Sequence, residues 1–238
     1  RRAFLVLLAV TAAGIVLSLS LRTGGAEKPQ AKRCVVVWSE GTAPKNIYPN
    51  DINGAIAEGL KDLQGWEVVK ASLSDPNQGL TDELLKRTDV LVWWGHQKHN
   101  QVKAQLVDKI VKRVKEDGMG FISLHSSHFA KPNKKLMGTP CSWKAYVGDS
   151  TVLKVTVKDP NHPIAQGIKE FTITHNERYS DPYAVPKPKA VVFEGVASLK
   201  DGGVNPSQQG LTWDVGKGRV FYFQPGHETH PVYYNEHV

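Results

Sequence analysis

Six of the nine histidines in this 238-residue chain fall into three copies of one spacing: His96-Gln-Lys-His99, His125-Ser-Ser-His128 and His227-Glu-Thr-His230. Each copy follows an apolar, β-rich run, namely Val90 to Trp94, Gly120 to Leu124 and Arg219 to Phe223. Neutral imidazole is the commonest protein ligand for zinc and its neighbours, and it also carries protons near neutral pH. In an open α/β sheet, side chains just beyond the carboxyl ends of parallel strands meet in one crevice. The repeated spacing therefore predicts a shared metal or proton-transfer centre. A lone histidine after a strand is more often a structural residue, so the prediction rests on the three copies together. The spacing differs from the helical His-Glu-x-x-His of zinc proteases, because His227 and His230 are only three apart.

The elements needed to position these residues are legible in the hydrophobic pattern. Cys34 to Trp38 is a continuous apolar run, as a parallel strand buried on both faces requires. Asp51 to Leu63 carries apolar residues at helical spacing, and Trp66 to Lys70 reads as a second strand. Thr81 to Lys86 is a short capped helix, and Asp89 to Trp94 a third strand. Gln101 to Glu116 is amphipathic and stops at Asp117-Gly118, before a fourth strand over Met119 to Leu124. This β-α alternation predicts an α/β fold with a doubly wound, mostly parallel sheet. After Pro132 the pattern changes to short strands at Thr151 to Val157, Phe171 to Thr174 and Ala190 to Phe193. A hairpin over Leu211 to Phe223 turns at Gly216-Lys-Gly218, so an antiparallel extension is expected in the second half. The Pro-rich piece Pro182 to Pro188 reads as a loop over the crevice mouth.

The beginning of the chain reads as a targeting segment. Arg1 and Arg2 precede an apolar stretch to Leu21, and small residues at Gly24-Gly25-Ala26 suit signal cleavage. Residues 1–26 are thus expected to be an export signal of twin-arginine-like type, sending the protein to the periplasm or outside the cell. The alternative is a membrane anchor over residues 3–21. Residues 27–32 form a polar linker, and residues 33–238 are the size of one α/β domain, cut short if the chain continues beyond Val238. The net charge of +7 falls to +4 without Arg1, Arg2 and Arg22, and no basic block is interleaved with aromatics. Nucleic-acid binding is therefore not expected. Two cysteines, Cys34 and Cys141, make no disulfide framework.

Several segments in order resemble the ThuA-like family, named for trehalose utilisation. They are Val92-Trp-Trp-Gly-His96, Leu124-His-Ser-Ser-His128, Lys135-Leu-Met-Gly-Thr139, His162-Pro-Ile-x-x-Gly167 and Phe221-Tyr-Phe-Gln-Pro-Gly-His-Glu228. The resemblance runs from about Cys34 to the end and implies a class I glutamine-amidotransferase-like, flavodoxin-like fold and a role with keto-sugars derived from disaccharides. It also implies a departure. The amidotransferases carry a cysteine on a tight strand-to-helix turn where this chain has His125, so ammonia release from glutamine through a thioester is excluded. Ser126 lacks the glycine-flanked elbow of serine hydrolases.

On that frame His96, His125 and His227 are the expected ligands of a divalent metal, zinc first. His128, Glu40, Glu177 and Glu228 are the candidate acid–base residues. Trp38, Trp94 and Tyr179 are the candidate sugar-binding faces, with core packing competing for the tryptophans. A metal with an open position polarises a sugar carbonyl or lowers the pKa of a bound water to about 7. Isomerisation or epimerisation through a proton shuttle and hydrolysis both remain open. The alternative is a non-catalytic carbohydrate-binding or oligomerisation module. The expected partner is a small carbohydrate, and a homo-oligomer is left open.

Overall fold

The computed structural model describes residues 32–150, 152–198 and 203–238. The export signal or anchor expected over 1–26, and all of the 27–32 linker except Lys32, lie outside them. Among the described residues no helix is long and apolar enough to cross a membrane.

The parallel strands form where the sequence is apolar without alternation. They are β1 (Arg33–Ser39), β2 (Trp66–Ser72), β3 (Val90–Trp94) and β4 (Gly120–Leu124). The later strands are β5 (Trp143–Ser150), β6 (Val152–Val157), β7 (Phe171–Ile173), β8 (Asn176–Tyr183), β9 (Ala190–Ser198), β10 (Val204–Val215) and β11 (Gly218–Phe223). Among the described residues nine strands make one sheet in the order β2-β1-β3-β4-β11-β10-β9-β6-β7, and β5 pairs with β8 in a second, two-stranded sheet. Pairings from β2 through β11 are parallel, whereas those from β10 onward are antiparallel. The expected doubly wound sheet with an antiparallel extension is the observed fold.

Helices cover both faces. α1 (Asp51–Gly59) places Ile52 and Ala55 in the core on one side. On the other side α2 (Asp82–Arg87), α3 (Ala104–Asp117) and α4 (Lys131–Met137) bury Leu85, Leu106, Ile110, Val114 and Leu136. The Thr81 hydroxyl caps α2 by accepting the Leu84 N–H at 3.2 Å. Gly118 ends α3 in the left-handed region, at φ 83°, where glycine carries no Cβ penalty.

Three local expectations change. The first helix stops at Gly59 rather than Leu63, because residues 60–65 turn to feed β2. α3 starts at Ala104, after a single tight turn over His99–Gln101 and an extended Val102 and Lys103. The Pro182 to Pro188 piece does not cover the crevice: Pro182 and Tyr183 belong to β8, and the Pro186 carbonyl accepts the Trp213 Nε1–H at 2.8 Å. Trp213 pairs with Val220 near the start of β11, at the end of the sheet opposite the histidines.

Candidate functional site

The three histidine pairs sit beyond the carboxyl ends of β3, β4 and β11, which are consecutive neighbours in the sheet. That adjacency brings one histidine of each pair together. Ring centroids lie 5.0 Å apart for His96 and His227, 5.6 Å for His125 and His227, and 6.5 Å for His96 and His125. Of the other members, His230 keeps its ring 5.7 Å from that of His227. His128 is fully buried among Tyr179, Tyr183 and Tyr222, and its Nδ1 bonds the His125 carbonyl at 3.0 Å.

Two carboxylates join the imidazoles. Glu177, from β8, places Oε2 2.6 Å from His227 Nε2 and Oε1 3.6 Å from His125 Nε2. The Tyr179 hydroxyl donates to Glu177 Oε1 at 2.9 Å. Glu228 holds both oxygens 2.7 Å from His96 Nδ1 and accepts the Gln97 Nε2–H at 2.8 Å. Ligand atoms of His96, Glu177 and His227 all lie within 4.8 Å of one another. This set shares His96 and His227 with the expected trio and has Glu177 as its third member.

His125 is set in place by its backbone. It adopts φ 48°, the left-handed region that side chains other than glycine, asparagine and aspartate rarely enter. The Tyr222 hydroxyl donates to its carbonyl at 3.0 Å, and its Nδ1 donates to the Gln224 carbonyl at 2.8 Å. A carbonyl can only accept, so the Nδ1 proton is fixed there and Nε2 faces Glu177. That buried Nε2 has no hydrogen-bond partner of its own. Gly226 packs beside the same turn at φ 144°, where an added Cβ would fall 2.2 Å from the Tyr233 hydroxyl.

Electrostatics follow burial and pairing. Burial alone would raise the Glu177 carboxyl, but the His125 and His227 imidazoles facing it outweigh burial and hold the carboxyl far below its usual range. Burial likewise opposes ionisation of Glu228, yet the His96 and Gln97 contacts draw it down to about 2. The Glu228 hydrogen bond raises His96. Desolvation lowers His125, and lowers His128 to about 3. The centre thus combines two ionised carboxylates with a neutral, buried His125. It opens to solvent through His96, 29% exposed, and His227, 13% exposed.

Other expected residues have different work. Glu40 is buried and accepts the N–H groups of His96 at 2.8 Å, of Gln97, and of Lys98 at 3.0 Å. It fixes the loop after β3. Trp38 and Trp94 are fully buried, and Trp38 stacks on Trp93 with centroids 3.7 Å apart, so neither offers a face to a sugar. Alternate residues of a strand point to opposite faces, and here both faces of β1 and β3 are covered. Tyr179 is 7% exposed and reaches the site through its hydroxyl. Gln224, Thr229 and Gln97 also contact the site residues. Their signal was position alone: each lies within three residues of a site histidine or at the end of its strand.

The residues fit a divalent metal by their donor chemistry. Two imidazoles and a carboxylate are a common catalytic zinc set. His96 Nδ1 is already engaged by a carboxylate, which fixes the ring and makes its Nε2 the better ligand. His227 Nδ1 lies 2.7 Å from the Thr229 hydroxyl, a group able to accept from it or donate to it.

The fold has solved relatives. A ThuA-like protein from Bacteroides uniformis ATCC 8492 is similar at 16% identity and TM-score 0.56, over 85% of this chain and 86% of that one. A ThuA-like protein from Parabacteroides merdae ATCC 43184 aligns at 12% identity and TM-score 0.56, over 83% and 80%. A glutamine amidotransferase from Thermotoga maritima aligns at 13% identity and TM-score 0.50, over 82% and 76%. At such identities the likeness establishes the fold alone. No curated protein matches the sequence. The family model for ThuA, described as trehalose utilisation, matches residues 34–238, and the chain belongs to that family.

Proposed function

We propose that this chain is a metal-assisted enzyme acting on a keto-sugar or a related disaccharide derivative. Family membership supports the sugar. The metal is supported by one observation above all: ligand atoms of His96, Glu177 and His227, from three separate strand ends, within 4.8 Å of one another. Zinc is the ion best matched by two imidazoles and a carboxylate. When bound, such an ion polarises a carbonyl oxygen or activates a water.

The chain's own residues supply the rest. Glu228 orients His96, and the Gln224 carbonyl orients His125. Glu177 is ionised, and its Oε1 is shared between the Tyr179 hydroxyl and the side facing His125. His125 Nε2 is a lone-pair acceptor beside it, so a ligand hydroxyl placed there meets two groups able to take its hydrogen bond. Acid–base movement of a proton next to a carbonyl gives isomerisation or epimerisation, and that reading is preferred to hydrolysis because two adjacent acceptors serve it directly.

Elemental analysis of the purified protein tests the metal, with His96→Ala and His227→Ala as controls. Stoichiometric zinc that both variants lose supports the reading, and a metal-free active protein removes it. Incubating the loaded protein with ketoses and keto-disaccharides in deuterated water tests the chemistry. Deuterium entering the carbon beside the carbonyl marks isomerisation, whereas cleavage products without exchange mark hydrolysis.

A further inference from the structure

Glu177 stands on β8, whose ladder partner among the described residues is β5, in the two-stranded sheet. His96, His125 and His227 follow strands of the nine-stranded sheet. Among the described residues, therefore, no strand ladder joins the carboxylate to the imidazoles. Their spacing falls to side chains that cross from one sheet to the other.

Gln224 makes that crossing. It follows β11, three residues before His227, and is fully buried. Its N–H donates to the Gln209 carbonyl at 2.8 Å, carrying the β10–β11 pairing one step past the strand. Its carbonyl accepts the His125 Nδ1–H at 2.8 Å. The side chain reaches β8 and β10 together. Oε1 accepts the N–H of Tyr179, two residues after Glu177, at 3.3 Å. Nε2 donates to the Gln208 carbonyl at 2.9 Å, and Gln209 Nε2 adds a longer contact to Oε1 at 3.4 Å.

The position requires an amide. A backbone N–H only donates and a carbonyl only accepts, so one neutral group must offer an acceptor and a donor at once. Glutamate would turn a second acceptor toward the Gln208 carbonyl. Methionine would fill the space but leave two buried backbone groups without their partners. Two further ties hold β8 to β10: Asp181 accepts the Gln208 N–H at 3.1 Å, and the Arg178 guanidinium donates to the Asn205 carbonyl at 2.5 Å. The tie through Gln224 is the one continuous with the His125 hydrogen bond.

We propose that Gln224 is the positioning residue of this centre, its side-chain amide setting the distance from Glu177 to the imidazoles of His125 and His227. This rests on the metal reading above and adds to it the group that holds the carboxylate in register with the nitrogen donors.

The test loads the full chain with cobalt(II), whose visible absorption reports coordination geometry, and compares Gln224→Met, Gln224→Asn and Thr81→Ala. The last variant loses the α2 cap and controls for destabilisation away from the site. Gln224→Met should bind cobalt about tenfold more weakly and with shifted bands. Gln224→Asn, whose amide is one methylene short, should change in the same direction, and Thr81→Ala should match the parent. Parent-like affinity and bands in Gln224→Met overturn the proposal, as do equal changes in Thr81→Ala. Loss of the folded state in both Gln224 variants overturns it too, since the residue would then serve the fold rather than the site. The metal-free protein gives a second reading. His227 Nε2 lies 2.6 Å from Glu177 Oε2, and a proton held between them gives a low-field NMR line. Its loss in Gln224→Met but not in Thr81→Ala supports the proposal; its persistence in Gln224→Met, or absence from the parent, overturns it. A parent that binds no cobalt yet shows this dependence would remove the metal reading and leave the positioning role standing.

Discussion

His96 Nδ1 is 2.7 Å from each carboxylate oxygen of Glu228, a residue 132 positions later in the chain. The pair joins the end of β3 to the segment after β11 and leaves the far nitrogen of His96 for a ligand. Glu228→Gln keeps an acceptor but removes the charge that strengthens the imidazole as a donor. Its affinity for zinc should fall about 10- to 100-fold, read by competition with a chromophoric chelator. Unchanged affinity would mean that His96 does not bind the ion.

Zinc bound only by the folded chain must stabilise it. At free zinc a hundredfold above its dissociation constant the gain is about 2.7 kcal/mol. For a domain of this size that raises the thermal midpoint by roughly 5–10 °C. The rise should vanish on adding a chelator and be absent in His227→Ala. A rise of equal size in that variant would place the binding elsewhere.

Glu40 acts through the backbone. Replacing it with alanine leaves three buried or partly buried N–H groups of residues 96–98 without their acceptor. A loss of about 1–3 kcal/mol in stability is expected, together with weakened zinc binding because His96 rides on that loop. Urea unfolding and metal titration check both effects. Full stability with lost turnover would instead return Glu40 to a direct chemical role.

Acid should destabilise the protein through His128, whose pKa burial lowers to about 3. An unfolded histidine takes up its proton near pH 6.5, so below that value the unfolded state binds more protons. The stabilising contribution is complete above pH 6.5 and is lost as pH falls toward 3, at up to about 1.4 kcal/mol per pH unit. The lowered carboxylates Glu177 and Glu228 add their own losses only below the usual glutamate range near 4.5. Between pH 6.5 and 5, therefore, His128→Asn should show a shallower loss of urea stability than the parent. Identical slopes would sink the assignment.

The sheet was readable because its parallel strands are unbroken apolar runs, and the histidine pairs mark three of their ends. That marking located the crevice but could not say which histidine of each pair enters it. The choice depends on local backbone, as at His125, where φ 48° turns one ring inward while His128 is sealed behind it. β5 and β8 escaped the pattern for another reason. Asn176 to Arg178 are polar yet buried, since the Arg178 guanidinium is held by the Asn205 carbonyl and the Ser207 hydroxyl rather than by water. In the sequence Glu177 is therefore one carboxylate among several, with no strand pattern to fix its place. Trp38 and Trp94 were ambiguous because strand ends and cores use the same residues.

The chain leaves the parallel frame at β4 and returns to it at β11, the adjacent strand, having built β5 to β10 in between. His96 and His227 are anchored to the frame, while Glu177 belongs to the detour. Grafting a different detour between the same two strands would thus keep the two imidazoles of the candidate site and exchange its carboxylate. The imidazoles and the carboxylate of the candidate site are each inherited from their own stretch of chain.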